Sequence, residues 1–418
     1  MRRQLVQGRM MMTTLDLDYV RSQFPAFSVP ALHDQAFLEN AGGSYMCQPV
    51  IDRFTRYITE RKVQPYGPYR ASSDAGAEMD EARTRLAAMM NMAADELSFG
   101  PSTTQNSYVL SQSFRQHLSP GDAIIVTNQD HEANSGPWRR LAQSGIDVRE
   151  WQVDPDTGSL TMDGLDALLD DNVRLVAFPH CSNIVAEINP VAEISTRVRA
   201  AGAVSCVDGV SYAPHGLPDI KALGADIYLF SAYKTYGPHQ GVMAIRRDLA
   251  ATLPNQGHHF NAGSLTSKFT PAGPDHAQIA ALAGIADYVD LLADHHAITG
   301  RPSTRAKGVH DLMRTHEIAI TQPLLDWASQ RNDIRLIGPT DAGARAPTIA
   351  MSCQIPGPEL AARLADYGIM TGGGDFYGQR PIKAMGLDPS HGVLRLSLVH
   401  YNAPADVTKA IAALEQVL

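Results

Sequence analysis

Cysteine is scarce and scattered in this chain. The four present (Cys47, Cys181, Cys206 and Cys353) include no CxxC pair, which argues against a disulfide framework or a cysteine-built zinc site and makes a reducing, cytoplasmic compartment the expectation. Long apolar runs are missing as well. Nothing approaches the roughly 20 residues of a membrane span, and Arg2 and Arg3 are not followed by the apolar stretch of a signal peptide. Positive charge is in deficit, 35 Lys and Arg against 44 Asp and Glu, for a formal net charge of −9. With no long basic run, neither a nucleic acid nor a membrane surface is an expected partner. Internal repeats and low-complexity tracts are not seen. What remains is 418 residues, 44% hydrophobic and 19% charged, the make-up of an ordinary globular protein long enough for two domains. Met10, Met11 and Met12 leave open a later start, with the residues before them an extension or a disordered tail.

From about residue 80 to 250, helical periodicity alternates with short apolar runs: Ala123–Thr127, Val148–Gln152, Val173–Phe178, Ala203–Val207, Ile227–Phe230 and Val242–Ile245. Most are apolar throughout, the pattern of strands covered on both faces. Amphipathic segments such as Met162–Leu169 and Ile194–Ala201 lie between them. Such alternation predicts a mostly parallel α/β sheet whose ligands sit beyond the carboxyl ends of the strands. After Arg246 a polar loop (255–274) precedes a helical segment, Gln278–Leu292. Short strands and helices follow at Thr348–Ser352, Gly357–Asp366, Val393–His400 and Pro404–Val417. The expected organisation is an amino-terminal segment (1–36), a large domain (37–275) and a smaller α+β domain (276–418) that the amino-terminal segment joins.

The residues just after each apolar run are therefore the informative ones. AIIVT leads to His131, VRLVAF to His180 and Asn183, AVSCV to Asp208, and IYLF to Ser231 and Lys234. Upstream, FGPSTTQNS sets Thr103 and Thr104 just before a helical run. Singly, each has an ordinary account: a solvated lysine, a capping aspartate, a hydrogen-bonded histidine, threonines that cap a helix. Together at one sheet edge they suit pyridoxal 5′-phosphate. That cofactor needs a lysine for its Schiff base, an acid against the pyridine nitrogen and a flat group on the ring. It also needs phosphate donors at a helix N-terminus, where unpaired N–H groups favour an anion.

With those residues in hand, the chain resembles the class V aminotransferase-fold enzymes, and most closely their cysteine desulfurase-like branch. FLENAGG, FGPSTTQN, DHEAN, SNIVAEINP, VDGVSYAPH, SAYK and RLSLVHYN occur in order from about Phe37 to the carboxyl terminus. The resemblance implies a fold-type-I architecture, with a mostly parallel seven-stranded sheet in the large domain, and a homodimer acting on a small amino acid. It implies that Lys234 forms the Schiff base and moves the Cα proton, that Asp208 pairs with the pyridinium and that His131 stacks on the ring. Asn183 would bond the phenolic oxygen, with Ser211 beside it. Thr103, Thr104 and Ser231 would bind phosphate, with Tyr233 standing where desulfurases often carry a histidine. Arg395 would hold the substrate carboxylate, for which its bidentate fork is suited, and Asn40 and Gly42 would line the substrate side.

The departures are as telling. Desulfurases take sulfur on a mobile-loop cysteine, yet the corresponding stretch, Met370–Gly386, has none, and Cys353 lies in a strand-like apolar run. Pro274 stands where a partner-subunit threonine is usual, with Asp275 and His276 beside it. A C–S lyase without a persulfide cysteine is the favoured expectation, with aminotransferase or epimerase as the alternative, since all begin by removing the Cα proton. Gly372–Gly374 would loosen a loop whose Phe376 and Tyr377 either form a lid or pack on the small domain, and Tyr66 and Tyr69 either line the mouth or make a surface turn. Other chemistries fit less well. Gly209–Ala213 nearly matches a G-x-S-x-G elbow, making Ser211 a remote serine-hydrolase candidate, but its last glycine is alanine. His131–Glu132 begins like a zinc-binding H-E-x-x-H, but position 135 is serine, so no metal is expected.

Overall fold

Thirteen strands occur in the computed structural model, which describes residues 14–418; the proposed later start at Met10–Met12 lies outside the described residues. In chain order they are β1 (Ala36–Phe37), β2 (Leu97–Gly100), β3 (Ala123–Thr127), β4 (Asp147–Trp151), β5 (Val173–Pro179), β6 (Val204–Asp208), β7 (Ile227–Ser231), β8 (Gly241–Ile245), β9 (Arg335–Ile337), β10 (Thr348–Ser352), β11 (Ile369–Met370), β12 (Gly372–Gly374) and β13 (Val393–Ser397). Seven of them form one sheet in the order β2-β8-β7-β6-β5-β3-β4. All are parallel except β8, which pairs antiparallel with both β7 and β2.

The six apolar runs of the sequence are six of these strands. The seventh, β2, is a four-residue edge strand that leads directly into the Gly-Pro-Ser-Thr-Thr turn, too short for periodicity to reveal. Successive residues of the central strands feed opposite faces. Ile125, Val176, Val207 and Tyr228 enter one apolar cluster, while Ile124, Leu175, Cys206 and Ile227 enter the other. This is why the runs are continuously apolar: both faces are covered. Each such side chain, fully buried, contributes about 1.5–3 kcal/mol.

One face is covered by helices Gln48–Glu60 and Arg70–Met89, on which His276–Ala281 and Ala283–His295 also pack. The helical segment expected over Gln278–Leu292 is thus two helices, broken at Leu282. The other face carries Thr103–His117 and Glu132–Arg139. A second, antiparallel sheet runs β12-β13-β10-β9 and shares an apolar cluster with helices Pro302–Ser329, Gly357–Ala365 and Pro404–Val417. The amino-terminal segment reaches this region through β1, which pairs in parallel with β11, Ala36 opposite Ile369.

Candidate cofactor and substrate site

Two strand ends carry the chemistry within the sheet register itself. Asp208 is the last residue of β6, opposite Pro179 of β5, and Ser231 is the last of β7, opposite Gly241. A single 3-10 turn, Ala232–Lys234, then brings the lysine over the sheet edge. Beside them the helix Thr103–His117 begins, capped by Ser102, whose hydroxyl accepts from the Gln105 N–H at 3.1 Å. Thr103 and Ser231 hydroxyls lie 2.8 Å apart. One cavity is lined by Thr103, Thr104, His131, Asn183, Asp208, Ser211, Ser231, Tyr233 and Lys234. These nine come from five separate stretches of sequence, and the strand ends bring them to one place.

Electrostatics differ sharply among them. Lys234 is 9% exposed, and its amine is lowered to about 8, chiefly by burial and then by Arg395, with Asp208 and Glu39 pulling the other way. Asp208 is 5% exposed and accepts from the Val210 N–H at 2.8 Å. Burial raises its carboxyl to about 6, against the pull of that hydrogen bond and of Lys234. His131 caps the helix Glu132–Arg139, its Nδ1 accepting from the Ala133 N–H at 3.0 Å. Nδ1 is therefore unprotonated, and burial, then Lys234 and Arg395, holds the ring's pKa down to about 3. The imidazole is neutral and flat at any ordinary pH. The Tyr233 ring lies parallel to His239 at 4.6 Å, and its phenol is pushed up by burial and then by Asp208.

A larger space of about 490 Å³ adjoins this cavity and shares Thr104, His131, Asn183, Tyr233 and Lys234 with it. Arg395, on β13, is 2% exposed and reaches this space, as does Gly42. Asn40 does not line it. Its amide donates to the Ser397 carbonyl at 2.8 Å and to Asn402, while its carbonyl accepts from the Tyr401 hydroxyl. Expected on the substrate side from the sequence, Asn40 lines a separate small pocket that also includes Ser211 and Lys234, while its polar groups bond Ser397, Asn402 and Tyr401. Phe376 and Tyr377 line the space from the side of the second sheet. Asn183 Nδ2 donates to the Phe376 carbonyl at 2.9 Å, and the Glu132 N–H donates to the Tyr377 carbonyl at 3.0 Å. Both residues sit in the left-handed region, φ 50° and 57°, a conformation costing about 1–2 kcal/mol each for a side-chain-bearing residue. Tyr66, by contrast, hydrogen-bonds Asp80 and lines neither space.

Glu39 and Phe376 carry contacts that the sequence did not assign. Glu39 Oε1 accepts from Arg395 Nη2 at 2.8 Å, and the guanidinium lies 3.7 Å from the Phe376 ring centroid. No spacing rule links positions 39 and 395. They meet because Glu39 bridges in parallel to Ser397, two residues along β13. Ser211 follows β6 and lines the cavity beside Lys234. The histidine nearest to it in sequence, His215, has its Nδ1 3.0 Å from Glu317 in the core, and no hydrogen bond joins that ring to Ser211.

The sequence profile described as Aminotransferase class-V matches residues 36–409. The chain belongs to the class-V aminotransferase family. Among curated relatives, this family member is 34% identical over 419 residues to the aminotransferase-like protein FGM3 of Gibberella zeae, covering 97% of this chain and 99% of that protein. It is 30% identical over 420 residues to a cysteine desulfurase of Yersinia pestis, covering 96% and 98%. Its fold is that of the cysteine desulfurase CsdA of Escherichia coli, with a TM-score of 0.80 at 22% identity over 97% and 99% of the two chains. It is also that of a cysteine desulfurase from Thermococcus onnurineus, with a TM-score of 0.83 at 21% identity over 97% and 98%. Class-V aminotransferases and cysteine desulfurases are pyridoxal-phosphate enzymes, so this chain is a pyridoxal-phosphate-dependent lyase or transferase.

The residues present fit that cofactor. A lowered lysine, a buried acid, a neutral ring and a hydroxyl group cluster at a helix start line one cavity. Asn183 Oδ1 is buried there without a hydrogen-bond partner, a costly arrangement unless a ligand supplies one.

Proposed function

We propose that this class-V family member is a C–S lyase that eliminates sulfur from a small cysteine-type amino acid without passing it to a protein persulfide. The observation that carries this reading is the state of the cysteines. Cys47, Cys181 and Cys206 are buried, and Cys353 is half-buried beyond β10 with its thiol raised by burial to about 11. The loop 371–378 that closes the substrate space contains no cysteine. A thiol held up at that pKa has almost no thiolate at neutral pH.

Bound pyridoxal phosphate supplies an electron sink for charge developing at Cα. The chain's own residues do the rest. Lys234 is the attachment point and, once freed, the base that takes the Cα proton, its amine lowered to about 8 and so matched to neutral catalysis. Asp208 holds the pyridine nitrogen, and the neutral His131 ring covers one face. Asn183 and Ser211 serve the phenolic oxygen. Thr103, Thr104, Ser231 and Tyr233 hold the phosphate at the start of Thr103–His117. Arg395 takes the substrate carboxylate, while Phe376 and Tyr377 exclude water. The Cβ–S bond then breaks with sulfur leaving as hydrosulfide, and hydrolysis of the three-carbon product yields pyruvate and ammonia.

We also infer a cytoplasmic homodimer. One observation supports a second copy of the chain: an open cavity of about 550 Å³ beside Pro274 and His239, at the position where the resemblance sets a partner-subunit contact. The lyase reading is tested by incubating the holoenzyme with cysteine-type substrates. Sulfide and pyruvate in equal amounts, with no persulfide trapped on Cys353, are expected. Amino-group exchange with a keto acid and no sulfide would establish the transferase reading instead, which the aminotransferase-like relative favours.

A further inference from the structure

The Arg395 guanidinium is held by a carboxylate of the protein itself, and only halfway. Glu39 Oε1 takes Nη2 at 2.8 Å, yet Glu39 Oε2 and Arg395 Nε are both buried with no hydrogen-bond partner. An arginine–carboxylate pair reaches full strength as a two-pronged fork, so this one keeps one prong unmade. Arg395 Nη1 has only the Asn183 carbonyl at 3.5 Å. Two glycines make the room for Glu39. A Cβ on Gly42 would lie 2.8 Å from Oε1, and one on Gly372 would lie 2.5 Å from Oε2. Gly372 is also the register partner of Arg395 across β12 and β13. Glu39, Gly42, Phe376 and Arg395 all line the space of about 490 Å³ that opens onto Lys234.

The geometry points to Glu39 as an internal stand-in for the substrate carboxylate: it occupies Arg395 between turnovers, is displaced by the incoming amino acid, and reclaims the arginine to expel the product. The inference rests on Arg395 being the carboxylate site, as in the function proposed above. An arriving carboxylate gains both Nε and Nη2, which Glu39 does not. In the exchange one carboxylate takes the place of another beside one guanidinium. Glu39 thereby sets how tightly any carboxylate is held, making it a specificity-determining residue that acts through Arg395. A bare buried arginine would bind substrate and product alike too well to release the latter.

Calorimetry with propionate, a carboxylate that lacks the amine and cannot react, tests this on the holoenzyme. Glu39→Gln keeps the shape and removes the competing charge, so propionate affinity is expected to rise about tenfold or more over wild type. The KM for the amino acid should fall in parallel without a rise in kcat. Arg395→Ala should abolish propionate binding in either background. Unchanged or weaker binding by Glu39→Gln overturns the inference while leaving Arg395 in place. Binding that survives Arg395→Ala overturns the carboxylate site itself, and the inference with it. If Glu39→Gln does not fold, Glu39→Asp, one methylene short of the guanidinium, should show the same rise. Failure of both variants to fold would make the pair structural and overturn the inference as well.

Discussion

The cofactor cavity and the substrate space beside it are built on opposite plans. The cavity is assembled from the ends of parallel strands whose neighbours on both faces are fully packed. Its hydroxyls and caps already hold one another, as Thr103 holds Ser231 and His131 holds the Ala133 N–H. The substrate space is closed by a loop with two consecutive left-handed residues, and by an ion pair with an unused prong on each side. A fixed site suits a group that stays, whereas a strained lid and a half-made pair suit molecules that must come and go. The difference assigns retention to the sheet and turnover to the contact between the two sheets.

The largest effect expected is on the fixed side. Lys234→Ala should lower kcat at least about a thousandfold and remove the visible absorbance of the lysine-bound cofactor. Retained absorbance and activity would break the assignment of the cavity. On the substrate side, Arg395→Lys keeps the charge but loses the fork, and kcat/KM should fall about a hundredfold, most of it in KM. An equal fall in kcat with unchanged KM would move Arg395 out of substrate binding.

A smaller effect concerns pH. The folded-state amine of Lys234, free of cofactor, sits at about 8 against an ordinary 10.5. Between those values the unfolded chain binds more protons than the folded one, so this group makes stability rise with pH across the window from about 8 to 10.5. Chemical denaturation of the cofactor-free protein at several pH values should show that rise. Lys234→Met should flatten it, and an unaltered slope in the variant would place the titrating group elsewhere. The smallest effect is at Cys353, where Cys353→Ser should leave the rate of sulfide release within about twofold. A larger loss would return persulfide chemistry to the mechanism.

Most of the cofactor cavity was legible before any coordinates. The apolar runs marked β3 through β8 to within a residue or two, and a parallel sheet must present the residues at their carboxyl ends along one edge. Asp208, Ser231 and Lys234 could therefore be placed together from order alone. The edge strand β2 escaped because four residues show no periodicity, and Leu282 hid a break inside an unbroken helical pattern. The substrate side was less readable. Asn40 and Glu39 are adjacent in the same motif, and only their directions distinguish them: Asn40 turns to Ser397 and Tyr401, while Glu39 reaches Arg395.

By itself, then, the sequence determined the sheet, its chemically active edge and the lack of a cysteine in the closing loop, because strand periodicity and residue identity are local properties. Tertiary structure alone decided that Glu39 occupies Arg395, that Phe376 covers the guanidinium and that Asn183 reaches the closing loop. The first and last of these join positions roughly 200 to 360 residues apart, and the second joins two residues of the small-sheet region that only its folding brings together. Such meetings follow from how the small sheet seats against the large one, which no spacing along the chain encodes.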